Sequence, residues 1–346
     1  MKKILQPLFL LLVLLVPMAA MADSANTLCK VTRGSLLGDV NGDGQISISD
    51  VTAMIYFLLD EGSSLSNEAI ADLNQNGVVT IADATMLINF LLSGETEAPS
   101  LFETFTINGV SFTMVYVAPG TFMMGPPDDD PYAISTERPA HQVTLTKGFS
   151  ISTTEVTQAL WLAVMGENPS YFSSDNGFEE NLNRPVEYIS WWDCQEFVTR
   201  LSGYTGRPFR LPTEAQWEFA ARGGNKTHGY RYSGSSSVDD VCWCYETMAL
   251  GSSTFSHGPQ PVGLKMPNEL GLYDMSGNVW ELVQDKFAFY SAEPQVDPIG
   301  PTSSMISQTL VRSGDWNSAQ TGCSVYHRVS VMMREAQSNT GFRIAL

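Results

Sequence analysis

A short acidic segment near the N-terminus occurs twice, and this duplication constrains the fold more than any other feature of the chain. The copies DVNGDGQISISD (residues 39–50) and DLNQNGVVTIAD (residues 72–83) align without a gap. Each carries oxygen-bearing side chains at loop positions 1, 3, 5, 9 and 12. A glycine occupies position 6, where the chain must turn sharply. This is the ligand spacing of an EF-hand calcium loop, closed here by Asp instead of Glu.

The repeat therefore predicts two calcium sites. In each loop five side chains and the backbone carbonyl of position 7 would bind the ion. The predicted ligands are Asp39, Asn41, Asp43, Gln45 (carbonyl), Ser47 and Asp50 in the first loop, and Asp72, Asn74, Asn76, Val78 (carbonyl), Thr80 and Asp83 in the second. A single loop of this kind is often only a solvated turn, but two copies in register argue for calcium. We expect the ion to order the segment, because unneutralised carboxylates resist folding.

Each loop leads into a predicted helix with apolar residues at helical spacing. These residues are Val51, Met54, Ile55 and Leu58 after the first loop, and Ala84, Leu87, Ile88 and Leu91 after the second. No comparable helix is predicted before the first loop. Two such loop–helix units resemble a type I dockerin over about Leu36–Leu92. Dockerins are the modules by which exported polysaccharide-degrading proteins bind cohesin receptors.

The resemblance implies a cohesin-type partner and a surface for it. In dockerins the residues at loop positions 10 and 11 face the cohesin. Here these are Ile48 and Ser49, and Ile81 and Ala82. The alternative is that these residues only pack into the helices that follow. Since the two pairs differ, any two-fold alternation of binding would be imperfect.

The first 22 residues have the pattern of a secretory signal peptide. Lys2 and Lys3 precede an apolar core (Leu8–Val16), and an A-x-A cleavage site ends at Ala22. The alternative is an uncleaved anchor, but the apolar core is shorter than the ~20 residues that a membrane span needs. We therefore expect export to the periplasm, the cell surface or the medium, with no membrane span after cleavage.

Charge and cysteine content narrow the function classes further. The formal net charge of −18 suits calcium and repels phosphate backbones, so we expect no nucleic-acid partner. Export permits disulfides, but five cysteines leave at least one thiol unpaired. These are Cys29, Cys194, Cys242, Cys244 and Cys323. Cys242 and Cys244 are too close in the chain to bond to each other without strain.

Composition changes along the chain predict five segments. They are a signal peptide (1–22), an N-terminal segment (23–35), the dockerin-like module (36–92), a linker (93–101) and a large domain (102–346). In the large domain we predict strand pairs around Pro119-Gly120 and within residues 141–152. Three helices are predicted to end at Gly166, Gly203 and Gly223-Gly224, the last one opening with a Thr213/Gln216 capping box. Cys194 is predicted to be a core residue of the second helix.

Five motifs of the large domain occur in the order and spacing of one family. They are EVTQALW, RPVEYISWWDCQEFVTRLS, RLPTEAQWEFAARGG, PNELGLYDMSGNVWEL and GFRIAL. In them the domain resembles the formylglycine-generating enzymes (sulfatase-modifying factor domains) over about Phe102–Leu346. The resemblance implies an α+β fold akin to C-type lectins with much irregular structure, beside a small all-α dockerin with paired EF-hand-like calcium loops.

The resemblance also implies one or more calcium ions in the large domain. The GNVWEL turn would bind calcium through Asn278, the carbonyl of Val279 and Glu281. Hard oxygen ligands on a tight turn suit that ion. The alternative is a helix cap in which Glu281 is solvated.

The family's active members oxidise a sulfatase cysteine to formylglycine. They bind copper(I) with two cysteines five residues apart. In SGDWNSAQTGC the first cysteine is replaced by Ser318 and the second is Cys323. A hydroxyl cannot replace a thiolate on copper(I), which needs soft ligands. We therefore expect no copper, and we expect Cys323 to be a buried apolar residue or a disulfide partner. Nothing in the sequence places Cys242 and Cys244 beside Cys323.

The favoured function is an exported, calcium-binding dockerin protein that attaches to a scaffold. Its large domain would bind a peptide or glycan through aromatic loops around Trp191, Trp192, Trp243 and Trp316, although core filling is an alternative for most of these. The alternative function is enzymatic, either as a divergent formylglycine-generating oxidase with Cys323 as the catalytic residue or as another enzyme of polysaccharide breakdown. The sequence does not predict whether the two domains touch.

Overall fold

The computed structural model describes residues 29–60, 64–65, 67–93, 99–249, 258–303, 305 and 307–346. The predicted signal peptide and the middle of the predicted linker (residues 94–98) lie outside these ranges. Within the described residues no helix is both long enough and apolar enough to span a bilayer.

Eight helices and eleven strands make up the regular structure of the described residues. The helices are α1 (Ile48–Leu59), α2 (Glu68–Ala71), α3 (Ile81–Ser93), α4 (Gln158–Met165), α5 (Trp191–Thr205), α6 (Glu214–Ala221), α7 (Val238–Val241) and α8 (Tyr245–Ala249). The strands are β1 (Cys29–Arg33), β2 (Phe102–Ile107), β3 (Val110–Val117), β4 (Gly120–Met124), β5 (His141–Leu145), β6 (Phe149–Ser152), β7 (Trp280–Lys286), β8 (Gln295–Val296), β9 (Gln308–Arg312), β10 (Arg328–Met332) and β11 (Thr340–Phe342). Helices and sheets are thus mixed, as the α+β class predicts.

The strands form three sheets, and two pairs of consecutive strands, β3 with β4 and β5 with β6, are divided between different sheets. The sheet orders are β1-β2-β3-β6, β10-β9-β7-β11 and β4-β5-β8. The predicted strands around Pro119-Gly120 exist, but β3 and β4 do not pair with each other. The same holds for β5 and β6. Each pair is a crossing between two sheets rather than a hairpin.

The helix ends follow the predicted caps with one exception. Helix α4 begins after Thr157, whose side chain accepts from the Leu160 N–H, and ends at left-handed Gly166. Helix α6 has the predicted Thr213/Gln216 capping box. The prediction for α5 was wrong, because the helix runs through Gly203 and ends at Gly206. Its last turn is retained because it packs Tyr204 against the main core, which offsets the roughly 0.5–1 kcal/mol cost of a helical glycine.

A network of buried ion pairs joins α6 to the C-terminal strands. Arg312 donates to Glu214 at 2.7 Å and to Glu218 at 2.6 Å, and all three side chains are buried. Arg328 binds both carboxylate oxygens of Glu214 at 2.6 and 2.8 Å. The RLPTEAQWEFAARGG motif therefore fixes the two ends of the loop 313–327, since Arg312 and Arg328 flank it. That loop contains Ser318 and Cys323.

The N-terminal segment and the dockerin-like module both contact the large domain. Strand β1 lies in the predicted N-terminal segment, yet it pairs antiparallel with β2 along its whole length. In the second acidic loop, the buried side chain of Gln75 forms hydrogen bonds with the large domain. Its side chain donates to the Tyr116 carbonyl at 3.0 Å and accepts from the Ala118 N–H at 2.8 Å. Residues 29–33 therefore belong to the sheet of the large domain.

Candidate functional site

The two acidic loops have the same internal hydrogen-bond pattern. In the first, Asp39 accepts from the N–H groups of Asp43 (3.0 Å) and Gly44 (2.9 Å). Asp50 closes the loop by accepting from the Asn41 N–H at 3.0 Å and the Ser47 N–H at 2.9 Å. In the second loop Asp72 and Asp83 accept the corresponding four bonds, at 2.8–3.1 Å. Oxygen side chains thus line each turn at the predicted positions.

Each loop places two buried carboxylates at its two ends. Asp39, Asp50, Asp72 and Asp83 are all buried. Within the described residues none of the four forms an ion pair with Lys or Arg. A buried carboxylate without a counter-charge is costly. The residues present therefore fit a cation with oxygen ligands, and the calcium sites stay a prediction.

The four positions expected to face a cohesin lie at the surface. The side chains of Ile48 and Ile81 are 71% and 68% exposed, and Ser49 and Ala82 are exposed beside them. Further along the helices the repeat places exposed apolar residues at equivalent positions. These are Ile55 and Leu59 on α1, and Ile88 and Leu92 on α3. The two helices thus present matched apolar surfaces outside the core of the module.

Ser318, where the copper-binding family members have their first cysteine, takes part in a tight turn. Its hydroxyl donates to Asp315 Oδ1 and accepts from the Asp315 N–H at 3.2 Å. Asp315 also accepts from the Asn339 side chain. The hydroxyl is therefore engaged in loop structure, and the two-cysteine arrangement is not reproduced at this position.

Three cysteines nevertheless meet beside this turn. The Sγ atoms of Cys242, Cys244 and Cys323 all lie within 4.8 Å of one another, and the three side chains are fully buried. Cys242 follows α7, Cys244 precedes α8, and Cys323 ends the 3-10 turn Gln320–Cys323. The Tyr245 N–H donates to the Ser318 carbonyl at 2.9 Å, which holds the two segments together.

Hydrogen bonding within the cluster distinguishes the three thiols. Bonds from Cys242 and Cys323 lower the pKa of Cys244, whereas burial raises the pKa of Cys242 well above its usual range. Glu246 lies next to the cluster. Its Oε2 atom is 3.5 Å from Cys244 Sγ and accepts from the Gln320 N–H at 2.8 Å. Cys244 Sγ is thus in contact with the Cys242 and Cys323 thiols and also lies within donating distance of the Glu246 carboxylate.

Comparisons with known proteins decide the family. A family model described as "Sulfatase-modifying factor enzyme 1-like domain" matches residues 101–346, and a "Dockerin type I domain" model matches residues 37–92. The chain belongs to the sulfatase-modifying factor family. Both resemblances expected from the sequence are confirmed, in the expected order.

The individual relatives of the chain include proteins named as an enzyme and as an inactive enzyme. It is 33% identical to "Formylglycine-generating enzyme" of Streptomyces coelicolor (47% of this chain, 52% of that protein). It is 32% identical to "Inactive C-alpha-formylglycine-generating enzyme 2" of Bos taurus (49% and 52%), and 34% identical to "Chaperone protein LppX" of Paenibacillus barcinonensis (38% and 60%). The chain thus spans about half to three fifths of these relatives' lengths. The relatives named as an enzyme and as an inactive enzyme are about equally similar to this chain. Overall similarity therefore does not indicate whether the chain is active, and only its site residues can.

Solved structures agree on the fold of the large domain. "Treponema denticola variable protein 1" superposes with a TM-score of 0.61 at 30% identity, covering 71% of this chain and 99% of that one. "Structure of PvdO from Pseudomonas aeruginosa" gives 0.57 at 26% identity, covering 67% and 93%. The sulfatase-modifying factor fold therefore accounts for residues from about 101 to the C-terminus.

The GNVWEL turn of this sulfatase-modifying factor domain uses its polar groups internally. Glu281 is fully buried, and its carboxylate accepts from Arg343 (2.7 Å, twice) and from the Trp217 indole N–H (2.7 Å). Asn278 accepts from the Gln260 N–H at 2.8 Å and donates to Glu155 at 2.8 Å. The solvated Glu281 of the alternative is therefore wrong. These side chains do not fit a calcium ion as they stand, and calcium here stays an untested prediction.

Sequence reasoning missed the thiol cluster. It found no reason to place Cys242 and Cys244 near Cys323, and the structure brings all three together. The available signal was the C-W-C spacing. Trp243 forms a β-bridge with Gly277, and residues two apart in an extended segment point to the same side, so Cys242 and Cys244 share one direction. The spacing therefore predicts that the two cysteines point the same way, but it does not predict that loop 313–327 lies beside them.

Proposed function

We propose that this protein is exported and attaches to a cohesin through a calcium-ordered dockerin, while its sulfatase-modifying factor domain binds a peptide or glycan without generating formylglycine. The observation that carries the second half is Ser318. Its hydroxyl replaces the first copper-binding cysteine of the family and is bonded to Asp315. A hard hydroxyl does not substitute for a soft thiolate.

The docking half is supported by the repeated apolar surface of the module. Ile48 and Ile81 are exposed at equivalent positions, and dockerin type I domains bind cohesins. The acidic loops that precede them fit calcium, and the ion would fix the two isoleucines relative to each other. Gln75 anchors the opposite part of the second loop on the large domain, and Ile81 itself stays exposed.

Docking is tested with the calcium-loaded mature chain and a panel of immobilised type I cohesin modules. We expect at least one cohesin to bind with calcium and to release the protein in EDTA. The double variant Ile48→Asp/Ile81→Asp should weaken binding by about 30-fold or more, since interface hot spots contribute about 2 kcal/mol or more. Leu264→Asp is the matched control, because Leu264 is equally exposed but lies on the large domain. Equal binding by the double variant would overturn the assigned surface.

The ligand-binding half is supported by aromatic side chains that remain accessible. Trp192 is 59% exposed, and Trp243 and Trp316 are half-buried. Trp191 is a core residue instead, and its indole N–H donates to the Val283 carbonyl at 2.9 Å. The exposed indole of Trp192 suits the stacking of sugar rings or peptide side chains, whereas Lys265 Nζ already lies 4.4 Å from the Trp243 ring centroid.

A second candidate function, a divergent formylglycine-generating oxidase, is favoured by the thiols beside Cys323. The experiment that separates the two functions incubates the mature chain with copper(I), oxygen and a peptide containing C-x-P-x-R, followed by mass spectrometry. Our proposal expects an unchanged peptide. Conversion of the peptide thiol to an aldehyde, abolished by Cys323→Ser, would favour the oxidase. Ser318→Cys, which restores the two-cysteine spacing, shows whether only that thiol was missing.

A further inference from the structure

We propose that Cys242, Cys244 and Cys323 together bind a single copper(I) ion in a three-sulfur site. None of the matched families assigns this set of residues, since the family pattern uses two cysteines within one loop and the first of them is Ser318 here. The inference does not rest on the proposed function. Metal binding is measured without turnover, and a buried ion can be structural whether or not the domain is an enzyme.

The spacing of the sulfur atoms matches one ion. A metal about 2.3 Å from each of three sulfurs in one plane sets those sulfurs about 4 Å apart. The three Sγ atoms lie within 4.8 Å of one another. Small side-chain rotations are enough to close the triangle around an ion.

The backbone fixes the three cysteines before any ion arrives. The Cys242 N–H donates to the Val238 carbonyl at 3.0 Å, and the Cys244 N–H donates to the Thr247 hydroxyl at 3.0 Å. The segment that carries Cys323 is tied to the other two by the bond from Gln320 N–H to Glu246 at 2.8 Å. Such pre-organisation reduces the ordering cost of binding.

Two glycines leave the room that the thiols occupy. A Cβ at Gly277 would lie 2.6 Å from Cys242 Sγ, and a Cβ at Gly314 would lie 2.6 Å from Cys323 Sγ. Both glycines also have positive φ, at 83° and 75°. The chain therefore makes space for sulfur on two sides of the cluster, where any side chain would displace it.

The surroundings favour a soft, three-coordinate ion. Tyr232, Val241 and Val238 pack around the thiols, which are fully buried. Thiolate ligands select copper(I), zinc or iron–sulfur clusters over calcium and magnesium. Zinc prefers four ligands, and the carboxylate oxygen of Glu246 that lies 3.5 Å from Cys244 Sγ already accepts from the Gln320 N–H at 2.8 Å. A disulfide accounts for only two of the three thiols and leaves the third buried beside it.

The test is an anaerobic titration of the reduced, calcium-loaded mature chain with copper(I) against a chromogenic copper(I) chelator. We expect one equivalent to be retained. X-ray absorption of the wild-type complex should show three sulfur neighbours near 2.3 Å. Single changes Cys242→Ser, Cys244→Ser and Cys323→Ser should each weaken binding by more than about 100-fold, the upper limit for losing a mere supporting contact. Cys194→Ser, a buried thiol elsewhere, should not.

Each other outcome overturns part of the inference. No retained copper in the reduced wild-type chain, or retention unaffected by all three variants, overturns the site. A disulfide joining two of the three cysteines in the chain as exported has the same meaning. If zinc(II) binds more tightly than copper(I) and this binding is lost in Glu246→Gln, the site holds a four-coordinate zinc ion instead of copper(I). The wild-type absorption spectrum decides the ligand set even if a serine variant fails to fold, and aldehyde formation is scored separately.

Discussion

The dockerin module and the large domain both bury carboxylates, but they balance the charge in different ways. In the module, Asp39, Asp50, Asp72 and Asp83 are buried and, among the residues that the structure describes, accept from backbone N–H and hydroxyl groups alone. In the large domain, Glu214, Glu218 and Glu281 are buried against Arg312, Arg328 and Arg343 at 2.6–2.8 Å. The large domain thus carries its own counter-ions, whereas the module carries none among these contacts and is predicted to take up calcium.

This difference predicts which treatment destabilises each half of the molecule. A buried anion that relies on an external ion is exposed to chelation, because the ion stabilises only the folded state. A buried anion paired with arginine is insensitive to chelation but is strongly destabilised when its partner is removed. We therefore expect chelation to unfold the module but not the large domain, and removal of an arginine partner to destabilise the large domain but not the module.

The largest expected effect is the loss of the module on removal of calcium. In EDTA the four buried aspartates repel one another, so we expect α1 and α3 to lose their hydrogen-exchange protection almost completely. Helix α5 of the large domain is the internal control and should stay protected. Asp50→Ala should reproduce the effect on α1 in the presence of calcium. Unchanged protection of α1 and α3 in EDTA would contradict the calcium assignment.

The second effect is specific to the large domain. Arg312→Met removes the guanidinium shared by Glu214 and Glu218, leaving two buried carboxylates undercompensated. We expect a loss of about 3–5 kcal/mol in the free energy of unfolding, measured by urea denaturation with calcium present. Arg200→Met is the matched control, because its ion pair with Glu196 is exposed and should contribute less than about 1 kcal/mol. Equal effects of the two changes would show that burial of the network is unimportant.

The smallest effect concerns a carboxyl group that the large domain leaves without a full counter-charge. Burial and the nearby charge of Glu214 raise the pKa of Asp285 to about 7. The folded state then keeps a proton that the unfolded state releases near pH 4. The contribution of Asp285 to the free energy of unfolding therefore falls as the pH rises from about 4 to about 7. Asp285→Asn, whose amide oxygen can still accept from the Glu214 N–H, should remove that part of the pH dependence.

Urea denaturation at pH 5 and pH 8 measures this effect as the difference between wild type and variant. We expect the wild-type chain to lose more stability than Asp285→Asn between the two values. Parallel changes in both proteins would mean that Asp285 ionises in the folded state as it does in the unfolded chain.

Local patterns were sufficient for the module and for the capped helices. The spacing of Asp39 to Asp50 fixed the loop geometry, because every hydrogen bond involved joins residues at most nine positions apart. The caps at Thr157 and Thr213 are equally local. Strand partners were not predictable, since Pro119-Gly120 joins strands of two sheets and β1 pairs with a strand far along the chain.

What the sequence determined alone is therefore the pair of acidic loops and the membership of two families, both of which depend on spacing along the chain. Tertiary structure decided two features. Gln75 takes the place of Gly42 at the same loop position, with φ positive in both, and only the nearby Tyr116 and Ala118 explain it. The three thiols meet because buried ion pairs of Arg312 and Arg328 fix a loop beside α7 and α8. Contacts between distant segments depend on packing of the whole domain, which no local pattern encodes.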